Sequence, residues 1–255
     1  MSPTPPPPPP FAPWRQELAS PAFRRALLSE CVGTFFLLYT TLGCVIFTND
    51  GGLSPAHSVR LALMSGATAA VLIFALGDIS ALMNPAVALA FCLTRRLSPA
   101  AAAALTLAQC GAAAAGAVVV RELSPVLFER AGGGANALSA SASPAEALGV
   151  EAGATFLLVL TVLAANDARR RAAHPHLQAL APLACGLAVA CATFLALPVT
   201  GCSINPARTL GVAWASGNWD SHWLFWVGPC CGAAAATLAY EVLGGQERGA
   251  RYGAL

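Results

Sequence analysis

The chain has 255 residues, of which 56% are hydrophobic and only 10% charged, against roughly 25% charged in a typical soluble domain. Its 14 basic residues are all arginine and face 12 acids, so a net charge of +2 offers no strongly basic face for nucleic acid. These figures exclude an ordinary soluble globule and point to an all-α protein that crosses the lipid bilayer several times.

Residues 1–22 begin with a proline-rich run, unbroken from Pro5 to Pro10. They lack the basic start and apolar core of a signal peptide and read as a disordered tail. From residue 23, apolar stretches of about 20 residues recur, the length a helix needs to cross ~30 Å of hydrocarbon. They are predicted at 24–48, 58–77, 100–120, 146–166, 177–197 and 222–243. Two further apolar segments, 84–94 and 205–215, are half as long and reach only half-way. Gly- and Ser-rich residues 131–144 form the longest internal loop, the membrane domain spans 23–244, and 245–255 form a second tail.

Arginine placement orients these spans. Arg15, Arg24, Arg25, Arg95, Arg96, Arg169, Arg170, Arg171, Arg248 and Arg251 fall on one side if six spans start from a cytosolic N-terminus. Only Arg60, Arg121 and Arg130 fall on the other, leaving Arg208 within the membrane. Both termini are then cytosolic, and the plasma membrane is the default location. Cys31, Cys44, Cys92, Cys110, Cys185, Cys191, Cys230 and Cys231 lie in apolar runs and read as small buried hydrophobes.

The sequence also repeats at an offset of 121, with halves at 23–120 and 144–243. Glu30 answers to Glu151, Thr34-Phe35 to Thr155-Phe156, Asn84-Pro85-Ala86 to Asn205-Pro206-Ala207, and Cys110-Gly111-Ala112 to Cys231-Gly232-Ala233. Three spans per half invert the second half relative to the first, which puts the working site near the midplane where interrupted helices meet.

Asparagine is a strong N-cap and proline suits the first helical position, so each Asn-Pro starts a half-helix. With its oxygen committed to capping, each amide leaves its NH2 to donate. A pore at this point meets two amide donors and two half-positive helix ends. Water can offer its oxygen to both, which breaks the alignment a proton wire needs, and cations are repelled.

From Glu30 to Glu241 the chain resembles an aquaporin of the major intrinsic protein family. The resemblance is carried by Ser29-Glu30-Cys31-Val32-Gly33-Thr34-Phe35, Met83-Asn84-Pro85-Ala86-Val87, Gly201-Cys202-Ser203-Ile204-Asn205-Pro206-Ala207-Arg208 and His222-Trp223-Leu224-Phe225-Trp226-Val227-Gly228-Pro229. It implies six transmembrane helices, two re-entrant half-helices, an inverted 3+3 repeat, and a homotetramer with one pore per subunit. It also implies a passive channel for water.

A buried charge at mid-bilayer costs ~2.5–3.5 kcal/mol even on lenient scales. Glu30 and Glu151 are expected to accept backbone N–H groups of the half-helix loops and so brace the pore wall. By the resemblance, Arg208 is the cation of a narrow outer filter completed by Cys202, Thr193 and a residue of the second span. That residue is Ser65 if one residue is deleted before the first triplet, or Met64 without the deletion. Ser65, Thr193, Cys202 and Arg208 would make a wide, polar aperture open to small neutral solutes such as glycerol, urea, ammonia, peroxide or a metalloid acid. Thr209, Ala213, Phe225 and Trp226 match water channels instead, so the expectation is water with some passage of small neutral solutes. Ser80-Ala81-Leu82-Met83 departs from the family's Ser-Gly-x-His.

An enzyme is not expected. His174 and His176 stand in a loop with no further ligand cluster, His57 and His222 are lone residues, and no catalytic triad or phosphate loop is legible. No cofactor and no metal are expected. A non-conducting structural protein would have no use for Asn84, Asn205 and Arg208 together.

Overall fold

The computed structural model describes residues 14–48 and 54–252, with side chains for all of these but 169, 171 and 245–252. The helices are α1 (Trp14–Ala19), α2 (Pro21–Phe47), α3 (Pro55–Leu76), α4 (Pro85–Leu93), α5 (Pro99–Leu123), α6 (Pro125–Arg130), α7 (Pro144–Ala165), α8 (Ala168–Ala173), α9 (Pro175–Thr200), α10 (Pro206–Ser216) and α11 (Leu224–Tyr252). The described residues contain no strand. Six helices, α2, α3, α5, α7, α9 and α11, are long and apolar enough to span a membrane, while α4 and α10, at nine and eleven residues, reach about 14 and 17 Å.

Proline sets where most of these helices start. Five of the six spans begin on one: Ser20, Ser54, Ser98 and Ser143 cap α2, α3, α5 and α7, each accepting a backbone N–H three residues on, and His174 precedes Pro175 of α9. Each serine offers an oxygen to an orphan N–H, and the following proline has no N–H to orphan. These spans therefore start one to three residues earlier than hydrophobicity alone suggests.

Two terminal segments differ from the tails expected. Residues 1–13 of the N-terminal tail lie outside the described residues, but Trp14–Ala19 is helical and α2 already starts at Pro21. At the other end α11 carries on to Tyr252, past the boundary expected at 243.

The two halves interlock. α2 packs on α5 and α7 on α11 within their own halves, but α4 packs against α11 and α10 against α5, each half-helix lying on the last span of the other half. α3 and α9 cross at the pseudo-twofold axis, where a Cβ on Gly66 would lie 2.5 Å from the Gly186 carbonyl oxygen and one on Gly186 2.5 Å from that of Gly66. This glycine pair is 120 apart rather than 121. The first half thus has one residue fewer between the crossing and its Asn-Pro-Ala than the second.

Candidate pore and its filter

A cavity of about 410 Å³ is lined by Phe23, Arg96 and Asn166, by Asn84 and Asn205, and by Cys202 and Arg208, among others. Glu30 and Glu151, both fully buried, hold the loops that carry the two asparagines. The Glu30 carboxylate accepts the Leu82 and Met83 N–H groups at 2.7 Å each, the Ser80 hydroxyl at 2.5 Å and the Gln109 amide at 2.7 Å. Glu151 accepts the Ser203 N–H at 2.8 Å, the Ile204 N–H at 2.7 Å and the Thr200 hydroxyl at 2.6 Å. The matching backbone donors are 121 apart, so one carboxylate device appears twice.

Past each glutamate the chain turns through a left-handed residue, Met83 (φ 49°) and Ile204 (φ 47°). For a β-branched isoleucine this conformation is strained. The strain is held because both polar groups of each residue are engaged: the N–H goes to the glutamate, and the carbonyl accepts from the opposite asparagine. Asn84 Nδ2 donates to the Ile204 carbonyl at 2.8 Å and Asn205 Nδ2 to the Met83 carbonyl at 2.7 Å. The Asn84 and Asn205 side-chain oxygens meanwhile cap α4 and α10, accepting from Ala86 and from Ala207 and Arg208. This refines the sequence expectation: one N–H of each amide ties the two loops together, and the second is the one left for a ligand. Pro85, Ala86, Pro206 and Ala207 are buried at the first turns behind the two asparagines.

The sequence profile of the family described as Major intrinsic protein matches residues 17–240. The chain is 41% identical to "Aquaporin PIP1-6" of Zea mays, with 89% of this chain and 79% of that protein covered. It is 40% identical to "Aquaporin PIP1-2" of Musa acuminata subsp. malaccensis, covering 89% and 81%. The chain belongs to the major intrinsic protein family. The solved aquaglyceroporin of Plasmodium falciparum shares its fold, with a TM-score of 0.73 at 23% identity over 86% of this chain and 96% of that one. This major intrinsic protein is therefore an integral, multi-pass membrane protein with the aquaporin fold.

In this family member the four residues expected at the filter, Ser65, Thr193, Cys202 and Arg208, all line the cavity. Met64 does not; it faces outward at 39% exposure. One residue along a helix turns the side chain by about 100°, so Ser65 and Met64 take different faces of α3. Thr193 and Cys202 are neighbours, with 3.8 Å between the Cys202 Sγ and the Thr193 hydroxyl. Cys202 itself takes a left-handed φ of 56° and its N–H donates to the Thr200 hydroxyl at 3.2 Å.

Sequence reasoning missed the partner of Arg208. Among the described residues no carboxylate lies within 4 Å of its guanidinium. Its Nη1 instead donates to the Oδ1 of Asn136, from the loop between α6 and α7. The signal was present in Gly132-Gly133-Gly134, which take φ of 59°, 68° and 66°, a conformation only glycine adopts freely. His174 and His176 stand with ring centroids 6.0 Å apart, and among the described residues no group of three or more ligating side chains could hold a metal.

Proposed function

We infer that this protein is a passive water channel whose pore runs through the cavity between Asn84 and Asn205. The observation that carries this reading is the pairing of the two asparagines at one level of the cavity, each with its oxygen on its own half-helix and its amide on the opposite loop. A water molecule at that level gives its lone pairs to the two remaining amide N–H groups. Its own hydrogens then point away along the pore, so neighbouring waters on the two sides are oppositely oriented and no proton wire runs through. The N-terminal ends of α4 and α10 add positive potential against cations.

Arg208, Cys202, Thr193 and Ser65 form the filter in this reading, with Glu30 and Glu151 bracing the loops. No aromatic side chain is among the four, which supports passage of small neutral solutes such as glycerol, urea or peroxide beside water. The channel unit comprises residues 23–244, with the repeat halves at 23–120 and 144–243. It works as a homotetramer in the plasma membrane with both termini in the cytosol, an orientation supported by ten of the fourteen arginines. It catalyses no reaction.

The test is stopped-flow swelling of proteoliposomes. Fast water flux is expected, and Asn205→Asp should cut it at least about tenfold, the effect of ~1.4 kcal/mol, because a carboxylate cannot donate. Flux no greater than through empty liposomes would sink the channel reading. Glycerol and urea gradients on the same vesicles test the filter, and exclusion of both would restrict it to water.

A further inference from the structure

A ring of hydrogen bonds closes around the first turn of α10 and the segment leading into it, and Asn136 is its entry point. The Asn136 Nδ2 donates to the Thr200 carbonyl at 3.2 Å. The Thr200 hydroxyl donates to Glu151 at 2.6 Å, and Glu151 accepts the Ser203 N–H at 2.8 Å. The Ser203 hydroxyl lies 2.6 Å from the Thr209 hydroxyl, which returns to the Asn136 Oδ1 at 2.7 Å. The same Oδ1 accepts from the Arg208 guanidinium. Donors on one side and an acceptor on the other leave the amide only one orientation. Asn136 is 4% exposed, so this arrangement is shielded from competing water.

The chain goes to some length to bring Asn136 here. A Cβ on Gly133 would lie 2.5 Å from the Ser216 Cβ, and one on Gly134 would lie 2.6 Å from the Leu42 Cδ1. The loop can thus pass between α2 and α10 only as glycine. The first half has no counterpart: Val87 and Ala88 stand at the positions of Arg208 and Thr209, and Arg15 stands 121 residues before Asn136.

We propose that Asn136 is the positioning residue of the filter, drawing the Arg208 guanidinium against the loop wall and so setting which solutes fit beside it. An arginine side chain is long and flexible, and unheld it can swing across a narrow lumen. One N–H is tied to Asn136, and the other guanidinium N–H groups are left for a passing solute. An amide suits this task where a carboxylate does not. It accepts the hydrogen bond without cancelling the positive charge on which cation exclusion depends.

The proposal rests on the reading of Arg208 as the filter cation, and the experiment separates the two. Full-length wild type, Asn136→Ala, Asn136→Asp and Arg208→Ala are reconstituted in liposomes. Water permeability, the glycerol-to-water permeability ratio and proton leak with an entrapped pH dye are measured on each, with thermal unfolding in detergent as a check on folding. Asn136→Ala is expected to lower the glycerol-to-water ratio at least about threefold, because the released guanidinium narrows the lumen. Asn136→Asp keeps the acceptor and should hold the ratio near wild type while raising the proton leak, since its carboxylate neutralises Arg208. A wild-type or raised ratio in Asn136→Ala, with Arg208→Ala altered, overturns the proposal. If Asn136→Ala does not fold, Asn136→Asp decides it: a wild-type leak overturns the proposal. Unaltered selectivity in Arg208→Ala overturns the filter reading instead.

Discussion

Glu30 gathers two backbone and two side-chain donors in the first half, whereas Glu151 gathers two backbone donors and one hydroxyl in the second. The backbone part is the same in both halves, down to the left-handed Met83 and Ile204 that follow. The side-chain part is not. In the first half Ser80 and Gln109 end on the glutamate, and Val87 and Ala88 follow the Asn-Pro-Ala. In the second half the polar groups continue outward through Thr200, Ser203 and Thr209 to Asn136 and Arg208. The backbone device is common to both halves, and the extended polar network is found in one only.

The largest test of this comparison is removal of each carboxylate. A buried donor left without an acceptor costs about 1–3 kcal/mol. Glu30→Leu strands all four donors. Glu151→Leu strands only the two backbone N–H groups, because the Thr200 hydroxyl can fall back on the Ala196 carbonyl at 3.1 Å. Thermal unfolding in detergent should therefore show Glu30→Leu as the less stable, by at least about 1–3 kcal/mol. Equal losses would break the asymmetry.

Next in size is the pair at the axis, where the halves should behave alike. Gly66→Ala and Gly186→Ala each drive a methyl to within 2.5 Å of the other's carbonyl oxygen. Each should cost about 1–3 kcal/mol of overpacking, with similar losses in the same unfolding assay. A large difference between them would show that the crossing is not symmetric.

The glycine loop lies between the two halves and meets α10 of the second, and two adjacent alanine substitutions probe it. Gly132→Ala meets nothing within 4 Å and bears only the cost of a left-handed alanine, about 1–2 kcal/mol. Gly133→Ala adds the clash with Ser216 and should also disturb solute selectivity, since it displaces Asn136. Proteoliposome flux ratios that are the same for both variants would detach the loop from the filter.

The smallest effect is a pH response outside the spans. His222 Nε2 accepts the Trp226 indole N–H at 3.0 Å, and Trp219 packs edge-on at 4.9 Å between centroids. Burial holds the imidazole pKa below its usual 6.5. A folded-state pKa lower than the unfolded one favours the neutral form, so this contribution is present above about pH 6.5 and fades as pH falls further. Tryptophan fluorescence titrated downward should change with a midpoint below 6.5, and His222→Gln should abolish that transition. A midpoint above 6.5 would contradict the burial argument.

Much of this was legible in the sequence because it broke a local rule. Glu30 and Glu151 announce themselves as charges inside apolar runs, and two Asn-Pro-Ala triplets at one offset cannot both be chance turns. The helix starts were equally available in the repeated Ser-Pro steps, which fit capping chemistry better than hydropathy does. The three glycines before Asn136 signalled an unusual backbone but not where it leads, because asparagine beside glycines is also a common turn composition. Only the walls provided by Leu42 and Ser216 reveal that the loop is threaded inward. The cross-packing of α4 on α11 and α10 on α5 was implied by inverted symmetry, but which surfaces meet depends on side-chain shapes that no periodicity records.

The two asparagine-to-carbonyl bonds across the centre, Asn84 to Ile204 and Asn205 to Met83, also govern the order of assembly. As the chain emerges from the ribosome, Asn84 has no acceptor and α4 no α11 until more than a hundred further residues have been made. Neither half can therefore complete the centre of the pore alone: each asparagine needs a carbonyl from the other half.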